Sequence, residues 1–149
     1  MEQRLNYVTL AVADVGRSRA FYVDGLGWEP ALEVPGEVLM IPLGAGLVLS
    51  LWSRDGFVDE VGEPSPGLAP LTLAHNVADE AGVDAAVADA VAAGGTLVGP
   101  AAHREWGGYT AYVADPDGFR WEIAHNPSDM GLAQVRDSQA AMRARSDGL

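Results

Sequence analysis

The sequence predicts an α+β fold made of two successive βαβββ modules. Three observations carry this: a strand, a capped helix and three short strands follow one another; a stretch rich in glycine, proline and acids interrupts them; and the same order then restarts. The first module, about residues 5–53, opens on a strand at 5–13 that sends Val8, Leu10 and Val12 to one face and Tyr7, Thr9 and Ala11 to the other. Asp14 then caps a helix reaching about Leu26, with Val15, Ser18, Phe21, Tyr22 and Leu26 near one stripe and Gly25 or Gly27 ending it. Strands at 28–33, 37–42 and 46–52 follow, parted by Pro35-Gly36 and by Gly44-Ala45-Gly46.

Residues 54–69 hold Gly56, Gly62, Pro64, Pro66 and Gly67 among acids, the composition of a linker rather than a packed element. The second module, about 70–127, begins with a strand at 71–77 and an Asp79-capped helix through Val83, Val87 and Val91, closed by Gly94-Gly95. Strands at 96–98, 106–113 and 119–125 complete it. The repeat is visible as Val8-Thr9-Leu10-Ala11 against Leu71-Thr72-Leu73-Ala74 and as Val12-Ala13-Asp14 against Val77-Ala78-Asp79, two anchors that differ in phase by two residues. In the tail, 128–149, Met130, Leu132, Ala133, Val135, Ala140, Ala141 and Met142 permit a helix whose ends Gly131 and Gly148 weaken. It either covers a partner subunit or frays.

With 149 residues, 48% of them hydrophobic, the chain is long enough for one domain with a real core. A net charge of -12 and nine scattered basic residues, all arginine, exclude a nucleic-acid surface or an anionic-membrane patch. Without lysine or cysteine there is no Schiff base, thiol nucleophile, disulfide or thiolate metal site. The N-terminal Met1-Glu2-Gln3-Arg4 has no signal-like apolar core, and no segment approaches the roughly 20 apolar residues of a membrane span, so a cytoplasmic protein is expected.

The turn Asp115-Pro116-Asp117-Gly118 feeds the last strand, in which Arg120, Glu122 and Ala124 share one face and Phe119, Trp121 and Ile123 the other. An acid near the centre of such a strand needs a partner, a metal or a polar cavity, which makes Glu122 the candidate catalytic residue or ligand acceptor.

The duplicated layout, the run Val8-Thr9-Leu10-Ala11-Val12-Ala13-Asp14 with Arg17-Ser18-Arg19-Ala20-Phe21-Tyr22 and Leu26-Gly27-Trp28, and Ala114-Asp115-Pro116-Asp117-Gly118 with Glu122 resemble the vicinal oxygen chelate superfamily. That superfamily includes glyoxalase I, extradiol dioxygenases and bleomycin resistance proteins, and the likeness covers roughly residues 5–127. It implies a glyoxalase/bleomycin resistance-like fold whose modules pair, within or between chains, into a cupped mixed sheet, and it implies a homodimer. Tyr7, Thr9, Ser50, Trp52, Thr72, Ala74 and Glu122 would then line the cup.

Metal-bearing members carry histidine, glutamine or glutamate on the first strand of each module and a glutamate on the last, and of these positions only Glu122 is filled by such a ligand here. Tyr7 and Thr72 or Pro70 stand at the others, and Ser50 stands where some members carry another glutamate. If a cation is bound, Glu122 and His75 are the residues to hold it, but strand parity turns His75 toward the helix layer. His125 faces the same way, and His103 sits by a loop.

The expectation is therefore a small-molecule-binding protein without a cofactor, resembling the bleomycin resistance proteins. Glu122, Tyr7, Ser50, Trp52, Thr72, Trp106 and Tyr109 would form the site, and a cationic or aromatic ligand would be drawn to it. The alternative is a divalent-metal-dependent lyase, isomerase or dioxygenase resembling glyoxalase I, in which Glu122 is ligand or base.

Overall fold

Strand β1 (Tyr7–Val12) leads into helix α1 (Val15–Arg19), which continues as a π-helical turn at Ala20–Gly25. These coordinates are a computed structural model describing residues 5–147, so the N-terminal tetrapeptide and the Gly148 end of the tail lie outside the described residues. Asp14 is the N-cap of α1, its carboxylate accepting from the Arg17 N–H at 3.1 Å. Strands β2 (Leu32–Val34), β3 (Val38–Pro42) and β4 (Val48–Ser53) complete the first module. Helix α2 (Arg54–Glu60) follows, and then the second module: β5 (Thr72–Asn76), α3 (Glu80–Ala92), β6 (Thr96–His103), β7 (Tyr109–Ala114) and β8 (Arg120–His125). Helix α4 (Asp129–Asp147) ends the described chain.

The order of elements is the predicted one, and four boundaries differ for identifiable reasons. β2 starts at Leu32 rather than near Trp28, because Trp28 is drawn inward to lie 5.4 Å from the Tyr22 ring and 5.7 Å from the Trp121 ring. The predicted linker begins with α2, nucleated by Ser53, whose hydroxyl accepts from the Gly56 N–H at 3.3 Å. β6 runs on past Pro100 by shifting register on either side of Gly99, which an edge strand tolerates. β7 starts at Tyr109 rather than at Trp106, since Arg104 and Gly108 are joined by a 2.8 Å backbone hydrogen bond that closes a turn around Trp106.

Two four-stranded mixed sheets result, in the orders β1-β4-β3-β2 and β5-β8-β7-β6. In each, the first strand of the module runs parallel to the last, β1 to β4 and β5 to β8, and the other pairs are antiparallel. Period-two alternation gives each sheet one apolar face. Leu10, Val12, Leu39, Ile41, Leu49 and Leu51 from the first sheet and Ala111, Val113, Trp121 and Ile123 from the second join Val15, Phe21, Tyr22, Val83 and Ala90 in one core. The helices therefore form a shared layer between the modules, and the opposite face of each sheet points outward. α4 packs against its own chain: Asn76 of β5 donates to Gln134 at 3.2 Å, and Ser138 comes against Gly44 in the turn between β3 and β4.

The Asp115 turn is the seam of this layer. Gly118 takes φ of 89°, a left-handed conformation that favours glycine, and lets its N–H return to the Asp115 carbonyl at 3.0 Å. Asp115 Oδ1 accepts from the Asp117 and Phe119 amides at 3.0 and 2.9 Å, while Oδ2 accepts from the Tyr22 hydroxyl at 2.7 Å. That hydroxyl in turn accepts from Trp121 Nε1 at 3.1 Å. Beside it Asp117 accepts from the Ala13 N–H at 2.8 Å, Arg17 at 3.0 Å and the Ser18 hydroxyl at 3.3 Å. Burial, reinforced by the neighbouring Asp115 charge, holds the Tyr22 phenol far above its ordinary pKa. Burial also raises the Asp115 carboxyl, against the hydrogen bonds from Tyr22 and Phe119 that pull it down.

Candidate functional site

Glu122 lies on the outward face of the second sheet, with Ala74 of β5 on one side and Tyr112 of β7 on the other. The Tyr112 hydroxyl donates to its Oε1 at 3.1 Å, the one hydrogen bond that the Glu122 carboxylate makes among the described residues. Partial burial first, and this bond second, raise the Tyr112 phenol above its usual pKa. Arg104 lies over the Tyr112 ring, 6.0 Å from its centroid, and is tied down by its Nε donating to the Thr110 hydroxyl at 2.6 Å. Arg120 donates to the Gly118 carbonyl at 3.2 Å, and among the described residues neither arginine forms an ion pair with Glu122. Thr72 is exposed and pairs across from Arg120 on the same face. One carboxylate, a phenol and an adjacent guanidinium thus share a half-open surface able to accept hydrogen bonds and stack a ring.

The outward face of the first sheet carries Tyr7, Thr9, Ser50 and Trp52. Tyr7 is 53% exposed, whereas Ser50 is buried between Thr9 and Met40, and its hydroxyl has no hydrogen-bond partner. Buried hydroxyls are almost always bonded, so Ser50 is an exception within this face. Trp52 is half-buried beside Ala11 and Val38. Within one chain this face and the Glu122 face belong to separate sheets, with β1 and β5 each an unpaired edge.

Of the two aromatics expected around the loop before β7, one turns to the helices and the other stays in the turn. Tyr109 faces the helices, where its hydroxyl donates to Asp84 of α3 at 3.1 Å and its ring meets His103 at 5.0 Å. The turn at 104–108 fixes the strand's parity, and this puts Tyr112 rather than Tyr109 beside Glu122. Period two from Thr110 was the signal that could have found Tyr112. Trp106 is 57% exposed in that turn, folded over Gly108.

His75 pairs opposite Ile123, on the face away from Glu122, and lines a cleft with Phe21, Trp28 and Trp121. It keeps an exposed edge, yet the protein atoms crowded around the ring lower its pKa. His103 approaches Glu80 at 3.8 Å on the exposed flank. Among the described residues no three histidine or acidic side chains gather where a cation could sit. A catalytic divalent ion usually needs about three protein ligands. Glu122 is flanked by Tyr112 and Ala74, and the other expected ligand positions hold Tyr7, Ser50 and Thr72, so this donor set does not fit one.

The family model for the Glyoxalase/Bleomycin resistance protein/Dioxygenase superfamily matches residues 4–123. Among solved structures, a glyoxalase-related enzyme from Fulvimarina pelagi is 38% identical with a TM-score of 0.78, over 85% of this chain and 90% of that one. A glyoxalase/bleomycin resistance protein/dioxygenase family enzyme from Burkholderia phytofirmans is 20% identical, TM-score 0.70, over 80% and 96%. A lactoylglutathione lyase from Agrobacterium tumefaciens is 20% identical, TM-score 0.66, over 84% and 95%. The last two likenesses are ones of fold. No curated protein matched. Among the described residues no helix is long and apolar enough to cross a membrane.

Proposed function

We propose that the chain, which belongs to the Glyoxalase/Bleomycin resistance protein/Dioxygenase superfamily, binds a small aromatic or cationic molecule over Glu122 without a metal and holds it rather than transforming it. The observation that carries this is the setting of Glu122: a carboxylate with one phenolic donor and no second ligand beside it. A net charge of -12 draws cations to such a face, and Tyr112 supplies a ring against which a flat ligand stacks.

The other wall of the site comes from a second copy of the chain. Each sheet turns one face outward and ends on one side in its module's first strand, β1 or β5, and laying the Ser50 face of one copy against the Glu122 face of another closes a groove between them. That closed site would still contain one carboxylate and no facing imidazole, since the first sheet contributes Tyr7, Thr9, Ser50 and Trp52.

A metal-dependent lyase, isomerase or dioxygenase is the second reading, favoured by the 38% identity to a protein described as a glyoxalase-related enzyme. Elemental analysis of protein purified without a histidine tag separates the two. Sub-stoichiometric metal, with cationic aromatic dyes bound in wild type and released about tenfold more easily by Glu122→Gln, is the expected result. Stoichiometric divalent metal that disappears in Glu122→Gln would overturn the binding reading.

A further inference from the structure

A cleft of about 340 Å³ opens between the π turn and α3, on the opposite side of the second sheet from Glu122. It exists because of a local departure from α-helical geometry. An α-helix, with about 3.6 residues per turn, would swing Leu26 away from Phe21. The i→i+5 bond from the Leu26 N–H to the Phe21 carbonyl, 3.0 Å, brings the two onto one wall. At the back Gly25 lies so close to α3 that a Cβ there would come within 2.4 Å of the Ala93 side chain, so only glycine lets the helices meet. Trp28 and Trp121 stand edge to face, their planes 77° apart, and give the cleft two flat aromatic surfaces.

Two polar side chains interrupt this apolar lining, His75 and Asp89. Asp89 is exposed on α3, which sets its carboxylate at the mouth. Burial among protein atoms favours the uncharged form of His75, so its ring offers an acceptor nitrogen rather than a second cation. The volume is at the small end for ligand pockets, suited to one or two fused rings.

We propose that this cleft is a second binding site, separate from the Glu122 face, for a flat aromatic molecule carrying one ammonium or amidinium group. The ring enters between Phe21, Trp28 and Trp121, and the cationic nitrogen stays at the mouth against Asp89 and His75. Because Phe21 and Trp28 belong to the first module and Asp89 and Trp121 to the second, an occupant bridges both. A ligand held only by this folded arrangement raises the unfolding temperature, and the rise grows with the logarithm of its concentration above Kd.

The test titrates benzamidinium into the full chain, followed by calorimetry and tryptophan fluorescence, with neutral benzamide as comparator. Saturable binding of benzamidinium, at least about tenfold tighter than benzamide, is expected in wild type and in Glu122→Gln. In the Glu122→Gln background, where the outward face has lost its carboxylate, Asp89→Asn, at an exposed helix position that leaves folding intact, should weaken it by about tenfold, and Ala86→Leu, which fills the cleft, should abolish it. Absence of saturable binding in wild type, or binding lost in Glu122→Gln but unchanged in Asp89→Asn, would overturn the proposal. The second outcome would still leave the Glu122 reading standing, so the two fail separately.

Discussion

Tyr22 donates to Asp115 at the seam between the modules and Tyr112 donates to Glu122 on the outward face, and these two tyrosine–carboxylate pairs are put to opposite uses. At the seam Tyr22 and Asp115 are 0% and 4% exposed, joined at 2.7 Å, and every lone pair that matters is taken: Asp115 by two backbone amides, the Tyr22 oxygen by the Trp121 indole. On the outward face Tyr112 and Glu122 are half-buried, joined at 3.1 Å, and among the described residues the second Glu122 oxygen receives no hydrogen bond. Saturation makes the first pair a structural clasp. Spare acceptor capacity makes the second a receptor for something else.

The comparison breaks most visibly at Tyr22. Tyr22→Phe keeps the ring in its aromatic cluster but leaves the Trp121 N–H and Asp115 Oδ2 without partners in the interior. At about 1–3 kcal/mol for each orphaned group, partly relieved by relaxation, unfolding in urea should show a loss of about 2–4 kcal/mol. A loss below about 1 kcal/mol would mean that the seam is wetter than its burial implies.

Asp115→Asn probes the same pair through pH. The folded chain holds the Asp115 proton more tightly than the unfolded chain does, whose ordinary value is 3.8. Ionisation of Asp115 therefore costs folding stability. The cost is absent below 3.8 and develops as pH climbs through the raised folded value. Asparagine keeps an oxygen for the two backbone donors but cannot ionise. The urea midpoint of the variant, compared with wild type, should thus gain as pH rises from below 3.8 toward neutrality. A constant difference across that range would show that Asp115 titrates as it does in the unfolded chain.

His75 gives a smaller slope of opposite sign. Its folded value lies below the ordinary 6.5, so the unfolded chain takes up the proton first, and stability that is complete above 6.5 is lost as pH falls through the folded value. His75→Gln should flatten the wild-type decline below 6.5 while changing neutral-pH stability little, because the imidazole keeps an exposed edge.

Much of this was legible in the chain. Alternation in Val8, Leu10 and Val12 against Tyr7, Thr9 and Ala11 gave the sheet faces, and Asp14 and Asp79 gave both helix starts. The motif residues Arg17, Ser18, Tyr22, Asp115 and Asp117 were readable as a signature, but their common purpose was not, because the bonds joining them span about a hundred positions of sequence. The π turn left no mark, since Ala20–Gly25 has the composition of an ordinary helix end. Tyr109 was expected beside Glu122 and Tyr112 stands there in the sheet. Their separation of three residues puts them on opposite faces of any regular strand, and the alternation of Thr110 and Tyr112 against Ala111 and Val113 is what decides between them.

The smallest effect is the one that sharpens the comparison best. Tyr112→Phe removes the one hydrogen bond that the Glu122 carboxylate has among the described residues, as Tyr22→Phe removes one to Asp115, but here solvent reaches the carboxylate and replaces the lost donor. Stability should change by less than about 1 kcal/mol. If the outward pair exists to aim Glu122 rather than to hold the fold, affinity for a cationic aromatic dye should fall by a few-fold, less than in Glu122→Gln, because the charge remains and only its orientation loosens. A destabilisation as large as that of Tyr22→Phe would instead make the outward pair a second clasp, and would move the search for a ligand away from Glu122.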